Sequence, residues 1–145
     1  MAPDAGIVSG SSAKNEQIMI PFLGKISYHE VMTPISPNNH HHNSHIFPAA
    51  KGSYVLVYEL GSERSLGVGR LGMIRMSPGY YIYCGSAHGP GGIRARLHHH
   101  IRFCPRPRWH IDYFKNDALL TAIGYVIGAG RYECHWAELL ANDEA

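Results

Sequence analysis

The chain has 145 residues, of which 13 are Lys or Arg, 11 are Asp or Glu and 45% are hydrophobic. These values fit one small globular domain with an additional tail. The absence of any run of about 18 apolar residues excludes a membrane-spanning helix. The first residues lack the basic start and apolar stretch of a secretory signal, so we expect a cytoplasmic protein without a membrane partner. The 3 cysteines are too widely spaced for a disulfide framework or a zinc pattern.

The first 46 residues show neither helical nor strand periodicity and are interpreted as a tail and linker. Two segments within them have a distinct pattern. The apolar run from Ile18 to Leu23, interrupted by Pro21, has the length of one strand that packs on the domain. The histidine-rich segment 40–45 offers ligands for a divalent metal, although such linkers also occur without one. The globular domain is expected over residues 47–145.

Strand patterns begin after Lys51. The run from Tyr54 to Tyr58 is rich in β-branched and aromatic residues and predicts a strand. Further strands are expected at 66–71, 73–76 and 80–84, and the short links between them favour antiparallel hairpins.

The second half of the domain predicts two helices and another strand. Ile93, Leu97 and Ile101 recur on one face of a helix that Pro105 and Pro107 must end. A strand is expected at 120–127 and a C-terminal helix at 133–142, with Trp136, Leu139 and Leu140 inward. The order of elements indicates a small α+β domain with a mainly antiparallel central sheet flanked by helices.

Two local features suggest a site for a phosphate-bearing partner. The glycine-rich loop 85–92 leads into the first helix, where backbone N–H groups can meet an anion. Arginines 94, 96, 102, 106 and 108 lie between Gly91 and His110, a stretch that contains no carboxylate. A solvated, arginine-rich helix end and loop would give the same pattern.

An ordered set of residues resembles the GIY-YIG nuclease superfamily. The set consists of Gly52-Ser53-Tyr54 on one strand, Tyr83-Cys84-Gly85 on a later strand, and Arg96 with His100 on the next helix. The segments 79–87, 109–113 and 133–134 are similar to an uncharacterised branch of that superfamily. Ser53 and Cys84 replace the isoleucines of the motif, which is tolerable where those side chains only pack. A hairpin inserted between Gly61 and Gly79 separates the two tyrosines further than in the compact nucleases.

The resemblance implies a divalent-metal-dependent endonuclease that hydrolyses DNA phosphodiester bonds. Tyr54 would accept a proton from the attacking water, with help from a nearby cation because a phenol titrates near pH 10. Arg96 would bind the phosphate with its fork of donors. Tyr83 would support the water network. His100, with His110 as second choice, would shuttle protons.

The implied cofactor is one Mg²⁺ or Mn²⁺, a hard ion that prefers oxygen ligands, held by Glu133. DNA is the implied partner, bound by Arg94, Arg102, Arg106 and Arg108. Glu133 would equally serve as a helix-start carboxylate, with Glu138 as a competitor for the metal role.

Other interpretations remain open. The tyrosines would also serve as core residues with satisfied hydroxyls, and Asp112 as the cap of a short helix. A catalytically weak or inactive nucleic-acid-binding module of the same fold is the main alternative function, because the related branch usually continues beyond the Glu133-Cys134 helix. A histidine-rich metal-binding protein is a third hypothesis, based on segment 40–45.

Overall fold

A computed structural model describes residues 8–9, 18–22, 32–34 and 47–142 of the chain. Its elements, in chain order, are β1 (Val8–Ser9), β2 (Ile18–Phe22), β3 (Met32–Pro34), β4 (Gly52–Leu60), β5 (Arg64–Gly67), a 3₁₀ turn (Gly69–Leu71), β6 (Met73–Met76), β7 (Gly79–Ala87), α1 (Gly92–Ile101), α2 (His110–Phe114), β8 (Leu119–Ile127) and α3 (Glu133–Asn142).

The central sheet has the order β1-β2-β7-β4-β8-β3, and every neighbouring pair is antiparallel. The long strands β4, β7 and β8 form its middle, while β5 and β6 form a separate hairpin. The small, mainly antiparallel α+β fold expected from the sequence is therefore confirmed.

β4 lies in the centre of the sheet and is covered on both faces. One face carries Tyr54, Leu56 and Tyr58, which pack with residues of α1 and α2. The other face carries Val55 and Val57, which lie in a second cluster with residues of α3. Burial on both faces explains why the sequence of β4 is a nearly continuous apolar run rather than an alternating one.

The helices occupy opposite faces of the sheet. α1 is anchored by Ile93 and Leu97, both fully buried, in agreement with the predicted helical stripe. α3 covers the other face through Trp136 and Leu140. Leu139 is 56% exposed, so its expected inward position is wrong. Trp136 and Leu140 form the side of α3 that contacts the sheet, and Leu139 lies outside this contact.

The predicted strand at 66–71 is only partly present in the β5–β6 hairpin. β5 ends at Gly67, and Gly69 has a φ of +47°, a left-handed conformation that breaks the extended chain and starts the 3₁₀ turn. Leu71 is the exposed last residue of this turn rather than part of the strand.

Short segments of the expected tail contribute strands. β2 pairs with β7 from Ile18 opposite Cys84 to Phe22 opposite Tyr80, and β3 pairs with β8. The histidine-rich segment 40–45 lies outside the described residues. Within the described ranges, no helix is long and apolar enough to cross a membrane.

Candidate active site

A glycine on β7 makes room for the first tyrosine of the motif. Tyr54 on β4 lies opposite Gly85 in the antiparallel register. A Cβ atom at position 85 would lie 2.5 Å from the Tyr54 hydroxyl oxygen, closer than real Cβ contacts. The Tyr54 side chain therefore lies across the backbone of β7, which only glycine permits at this position.

α1 brings His100 to this tyrosine. The Tyr54 hydroxyl lies 2.8 Å from His100 Nε2 in a buried hydrogen bond. The Tyr83 ring completes the group, with its centroid 5.3 Å from that of His100 and 6.3 Å from that of Tyr54. The exposed fractions are 0% for Tyr54, 2% for Tyr83 and 3% for His100. These three side chains are called the Tyr-His cluster below.

His100 is neutral at ordinary pH. Burial, reinforced by the positive charge of Lys115 and by His99, lowers the pKa of His100 from 6.5 to about 3. A neutral imidazole has one donor and one acceptor nitrogen. When Nε2 accepts the Tyr54 proton in the hydrogen bond, Nδ1 carries the ring hydrogen. Nδ1 is buried and has no hydrogen-bond partner among the described residues.

Tyr83 is held in its protonated form. Burial and the neighbouring Tyr54 raise the pKa of Tyr83 well above 10. The positive charge of Arg96 opposes this rise and also contributes to the lowered pKa of His100. Arg96 is therefore close enough to act electrostatically on two members of the cluster, on the same face of the sheet.

Arg96 and Trp109 form the half-buried border of the cluster. The guanidinium carbon of Arg96 lies 4.8 Å from the centroid of the Trp109 ring, a cation–π contact. The Trp109 ring lies 6.1 Å from His100 and 4.5 Å from His99, measured between centroids. The sequence had placed Trp109 only in segment 109–113 of the resemblance, without a role. His110, the second-choice proton shuttle, is the partly exposed first residue of α2, and its neighbour Trp109 contacts His100 instead.

Asp112 fixes the position of Trp109. One of its carboxylate oxygens, Oδ2, accepts hydrogen bonds from the backbone N–H groups of Arg108 at 2.9 Å and Trp109 at 3.1 Å. The other, Oδ1, lies 2.8 Å from His99 Nε2 and 3.1 Å from Lys115 Nζ. Asp112 is the third residue of α2, and its bond to Trp109 N fits the capping interpretation that the sequence left open.

These contacts also set the charge of Asp112. Burial alone would raise its pKa, but the hydrogen bonds from Arg108, Trp109, His99 and Lys115 together lower the pKa from 3.8 to about 2. Asp112 and Lys115 form a buried ion pair beneath the border of the cluster.

Asp112 is a poor candidate for a metal ligand. His99, Cys104 and Asp112 place their ligand atoms within 4.8 Å of one another. However, both oxygens of Asp112 already accept hydrogen bonds, and a cation would have to displace the buried ammonium group of Lys115. The Mg²⁺ or Mn²⁺ expected from the resemblance therefore depends on Glu133.

Glu133 begins α3, which packs on the face of the sheet opposite the Tyr-His cluster. The side chain of Glu133 lies outside the described part of the structure. Ser53, next to Tyr54, holds the segment that enters α3: its hydroxyl accepts a hydrogen bond from Tyr132 N at 3.1 Å and donates one to Gly130 O at 3.4 Å. Ser53 therefore does more than the packing expected of it.

The start of α1 is not an anion site of the kind expected. The backbone N–H groups of Gly92, Ile93 and Arg94 donate to the carbonyls of Gly89, Ala50 and Pro48 at 3.1, 2.9 and 3.0 Å. Arg94 Nε also donates to Phe47 O at 2.7 Å. The backbone N–H groups that were expected to meet an anion thus hold segment 47–50 against the helix. The side chain of Arg94 also contacts this segment, although Arg94 as a whole is exposed.

The remaining arginines of the basic stretch follow α1. Arg102, Arg106 and Arg108 are exposed and lie between the end of α1 and the start of α2. They are close in sequence to both His100 and Trp109, so the basic surface and the Tyr-His cluster share one side of the sheet.

The comparison with known proteins places the cluster within one family. A family model, described as a domain of unknown function, matches residues 53–145, a range that includes Tyr54, Tyr83, Arg96 and His100. No curated protein and no solved structure matches the chain. On the basis of this match over more than half of its length, the chain belongs to the DUF123 family.

Proposed function

We propose that the domain is a divalent-metal-dependent endonuclease that hydrolyses DNA phosphodiester bonds. The observation that carries this proposal is the buried hydrogen bond of 2.8 Å between the Tyr54 hydroxyl and His100 Nε2. The Tyr83 ring contacts His100, and the positive charge of Arg96 contributes to the lowered pKa of His100. Four residues of the resemblance, Tyr54, Tyr83, Arg96 and His100, thus lie together in space, as a common chemical task requires.

The hydrogen bond provides a route for a proton. As a water molecule attacks phosphorus and the bond to the leaving sugar oxygen breaks, the proton of the water passes to the Tyr54 oxygen while the Tyr54 proton passes to His100 Nε2. The leaving oxygen takes a proton from solvent. The low pKa of His100 keeps this nitrogen unprotonated before substrate binds. A phosphodiester bound nearby adds a negative charge, which raises the pKa of His100 and makes it a better proton acceptor when the substrate is present.

Arg96 and Tyr83 stabilise the charge that develops on the phosphate. The guanidinium group of Arg96 offers parallel donors to two phosphate oxygens and keeps its charge throughout. Its contact with Trp109 positions it at the border of the cluster. Tyr83, with its raised pKa, remains a hydrogen-bond donor.

A bound Mg²⁺ or Mn²⁺ would supply further positive charge to the phosphate and the leaving oxygen. Glu133 is its proposed ligand on the ground of the resemblance alone, since α3 packs on the face of the sheet opposite the Tyr-His cluster. Arg102, Arg106 and Arg108 are proposed to bind the DNA backbone on the exposed surface beside the cluster. A DNA substrate also fits the cytoplasmic location expected from the sequence.

A second candidate function is supported by the burial of the cluster. Tyr54 is 0% exposed, so a water molecule and a phosphate reach its hydroxyl only when the border formed by Arg96 and Trp109 rearranges. A domain in which that border stays closed would bind nucleic acid without cutting it.

The two candidates are separated by measuring cleavage and binding on the same preparations. Supercoiled plasmid is incubated with Mg²⁺ or Mn²⁺ and with the wild-type protein, Arg96→Ala or Arg70→Ala, an exposed arginine of the hairpin. We expect nicking by the wild type and Arg70→Ala, and a loss of about 100-fold or more in Arg96→Ala. Salt-dependent duplex binding without nicking in either metal would favour the second candidate. Equal nicking in all three proteins would indicate a contaminant and overturn the nuclease proposal.

A further inference from the structure

One aromatic side chain stands out from the protein surface within the basic stretch. Phe103 is 75% exposed, more than any other large apolar side chain of the described residues. It follows His100 by three residues, a length of chain that spans at most about 11 Å. Phe103 therefore lies within reach of a polymer whose phosphate is bound at the Tyr-His cluster.

The loop that carries Phe103 is held at both ends and in its middle. Arg102 N donates to His98 O at 3.3 Å, and Arg108 N donates to Asp112 Oδ2 at 2.9 Å. Asn116 Nδ2 donates to Cys104 O at 3.3 Å, and the Cys104 thiol donates to Arg106 O at 3.3 Å. Pro105 and Pro107 restrict the backbone further. A constrained loop presents an aromatic ring to a ligand at a small cost in conformational entropy.

The charge around Phe103 selects the kind of ligand. Arg102, Arg106 and Arg108 are exposed on the same loop. The nearest carboxylate along the chain, Asp112, is buried and paired with Lys115. An apolar partner surface would leave these positive charges without partners, whereas a nucleic acid offers both phosphates for the arginines and flat bases for the ring.

We propose that Phe103 is a stacking platform for an unpaired DNA base, so that the domain prefers single-stranded or locally unpaired DNA to an intact duplex. The inference rests on the proposed function for the identity of the polymer. The arginines hold the backbone regardless of sequence, and Phe103 adds the contact that a fully paired duplex cannot make, because its bases are stacked on one another.

The test measures the binding of a fluorescently labelled single-stranded oligonucleotide, and of the same strand in a duplex, by anisotropy over a range of salt concentrations. The wild type should bind the single strand more tightly. Phe103→Ala should weaken single-strand binding by about 5- to 150-fold, the usual effect of removing one stacking residue. Its duplex affinity and salt dependence should not change. Phe103→Trp should restore single-strand binding.

Two further variants control for charge and for exposed apolar surface. Arg106→Ala should lower the salt dependence for both DNA forms, by about one unit of slope. Met73→Ala removes a 71% exposed side chain of β6 and should leave both affinities unchanged.

The inference and the proposed function fail in different ways. Unchanged single-strand affinity in Phe103→Ala, or tighter binding of the duplex by the wild type, would overturn the stacking role even if the plasmid is nicked. A selective loss of single-strand binding in Phe103→Ala would support it even if no nicking occurs, which would overturn only the enzymatic proposal. Because Phe103 is exposed, the alanine variant should keep the far-UV spectrum and unfolding midpoint of the wild type.

Discussion

The hydroxyl of Tyr54 lies 2.8 Å from Nε2 of His100, although 46 residues separate the two in the chain. The central position of β4 in the sheet and the packing of α1 on one face bring them together. Both side chains are buried, so their hydrogen bond is stronger than it would be in water and costly to break.

Gly85→Ala should disturb this relationship directly. The new methyl group would collide with the Tyr54 ring, and overpacking of this kind typically costs about 1–3 kcal/mol of unfolding free energy. We expect lower stability in urea unfolding, together with reduced DNA cleavage. Gly61→Ala is the matched control, because nothing lies within 4 Å of a Cβ at that position. Equal effects of the two substitutions would contradict the close packing of Tyr54 on β7.

The buried His100 should make stability depend on pH. Its pKa is about 3 in the folded protein and ordinarily 6.5, so between these values the unfolded chain binds a proton that the folded one does not. The unfolding free energy should therefore fall by up to about 1.4 kcal/mol for each pH unit below 6.5, and His100 should have no effect above that pH.

Denaturant unfolding at a series of pH values measures this slope. His100→Gln should reduce the slope between pH 6.5 and 4. If the His100→Gln variant kept the wild-type slope, this would contradict the claim that His100 is neutral in the folded protein in this pH range.

Asp112→Ala should be strongly destabilising. It removes the partner of the buried Lys115 and the acceptor of two backbone N–H groups, and breaking a buried ion pair in this way costs about 3–5 kcal/mol. Adding Lys115→Met should recover part of the loss, because no buried charge then remains.

The exposed ion pair of Arg75 and Glu63, 2.9 Å apart, provides the comparison. Glu63→Ala should change the unfolding free energy far less than Asp112→Ala, because solvent screens an exposed pair. A double-mutant cycle by chemical denaturation measures both pairs. An Asp112→Ala variant as stable as Glu63→Ala would show that the Asp112 network does not hold the loop.

Glu133→Gln should lower the affinity for Mn²⁺ and slow metal-dependent cleavage, since an amide binds a hard cation less strongly than a carboxylate. Glu59→Gln, a substitution of an exposed carboxylate on β4, should behave as the wild type. Calorimetric titration with Mn²⁺ measures affinity independently of activity. Equal affinity in the two variants would remove Glu133 as the metal ligand.

Much of the architecture could be predicted because the pattern of apolar residues is local. The period of Ile93, Leu97 and Ile101 predicted α1, and the run from Tyr54 to Tyr58 predicted β4. Capping of α2 by Asp112 was one interpretation that the sequence left open, since a carboxylate near a helix start has available N–H groups within a few residues.

Other features depend on contacts between distant segments and could not be predicted from local patterns. The backbone donors at the start of α1 are occupied by carbonyls of Pro48 and Ala50, which precede β4. Trp109 joins Arg96 and His100 only because the Asp112 network folds its loop back against α1. No spacing of residues in the sequence indicates that this loop folds back against α1.

The most direct test of the proposed chemistry is the single-turnover rate of DNA cleavage in Tyr54→Phe compared with Tyr80→Phe. Both substitutions remove one hydroxyl, but Tyr80 is 37% exposed on β7 and lies outside the Tyr-His cluster. If Tyr54 transfers the proton of the attacking water, Tyr54→Phe should cut at least about 100-fold more slowly, while Tyr80→Phe keeps the wild-type rate. Equal rates in the two folded variants would contradict the role of Tyr54 and His100 in hydrolysis.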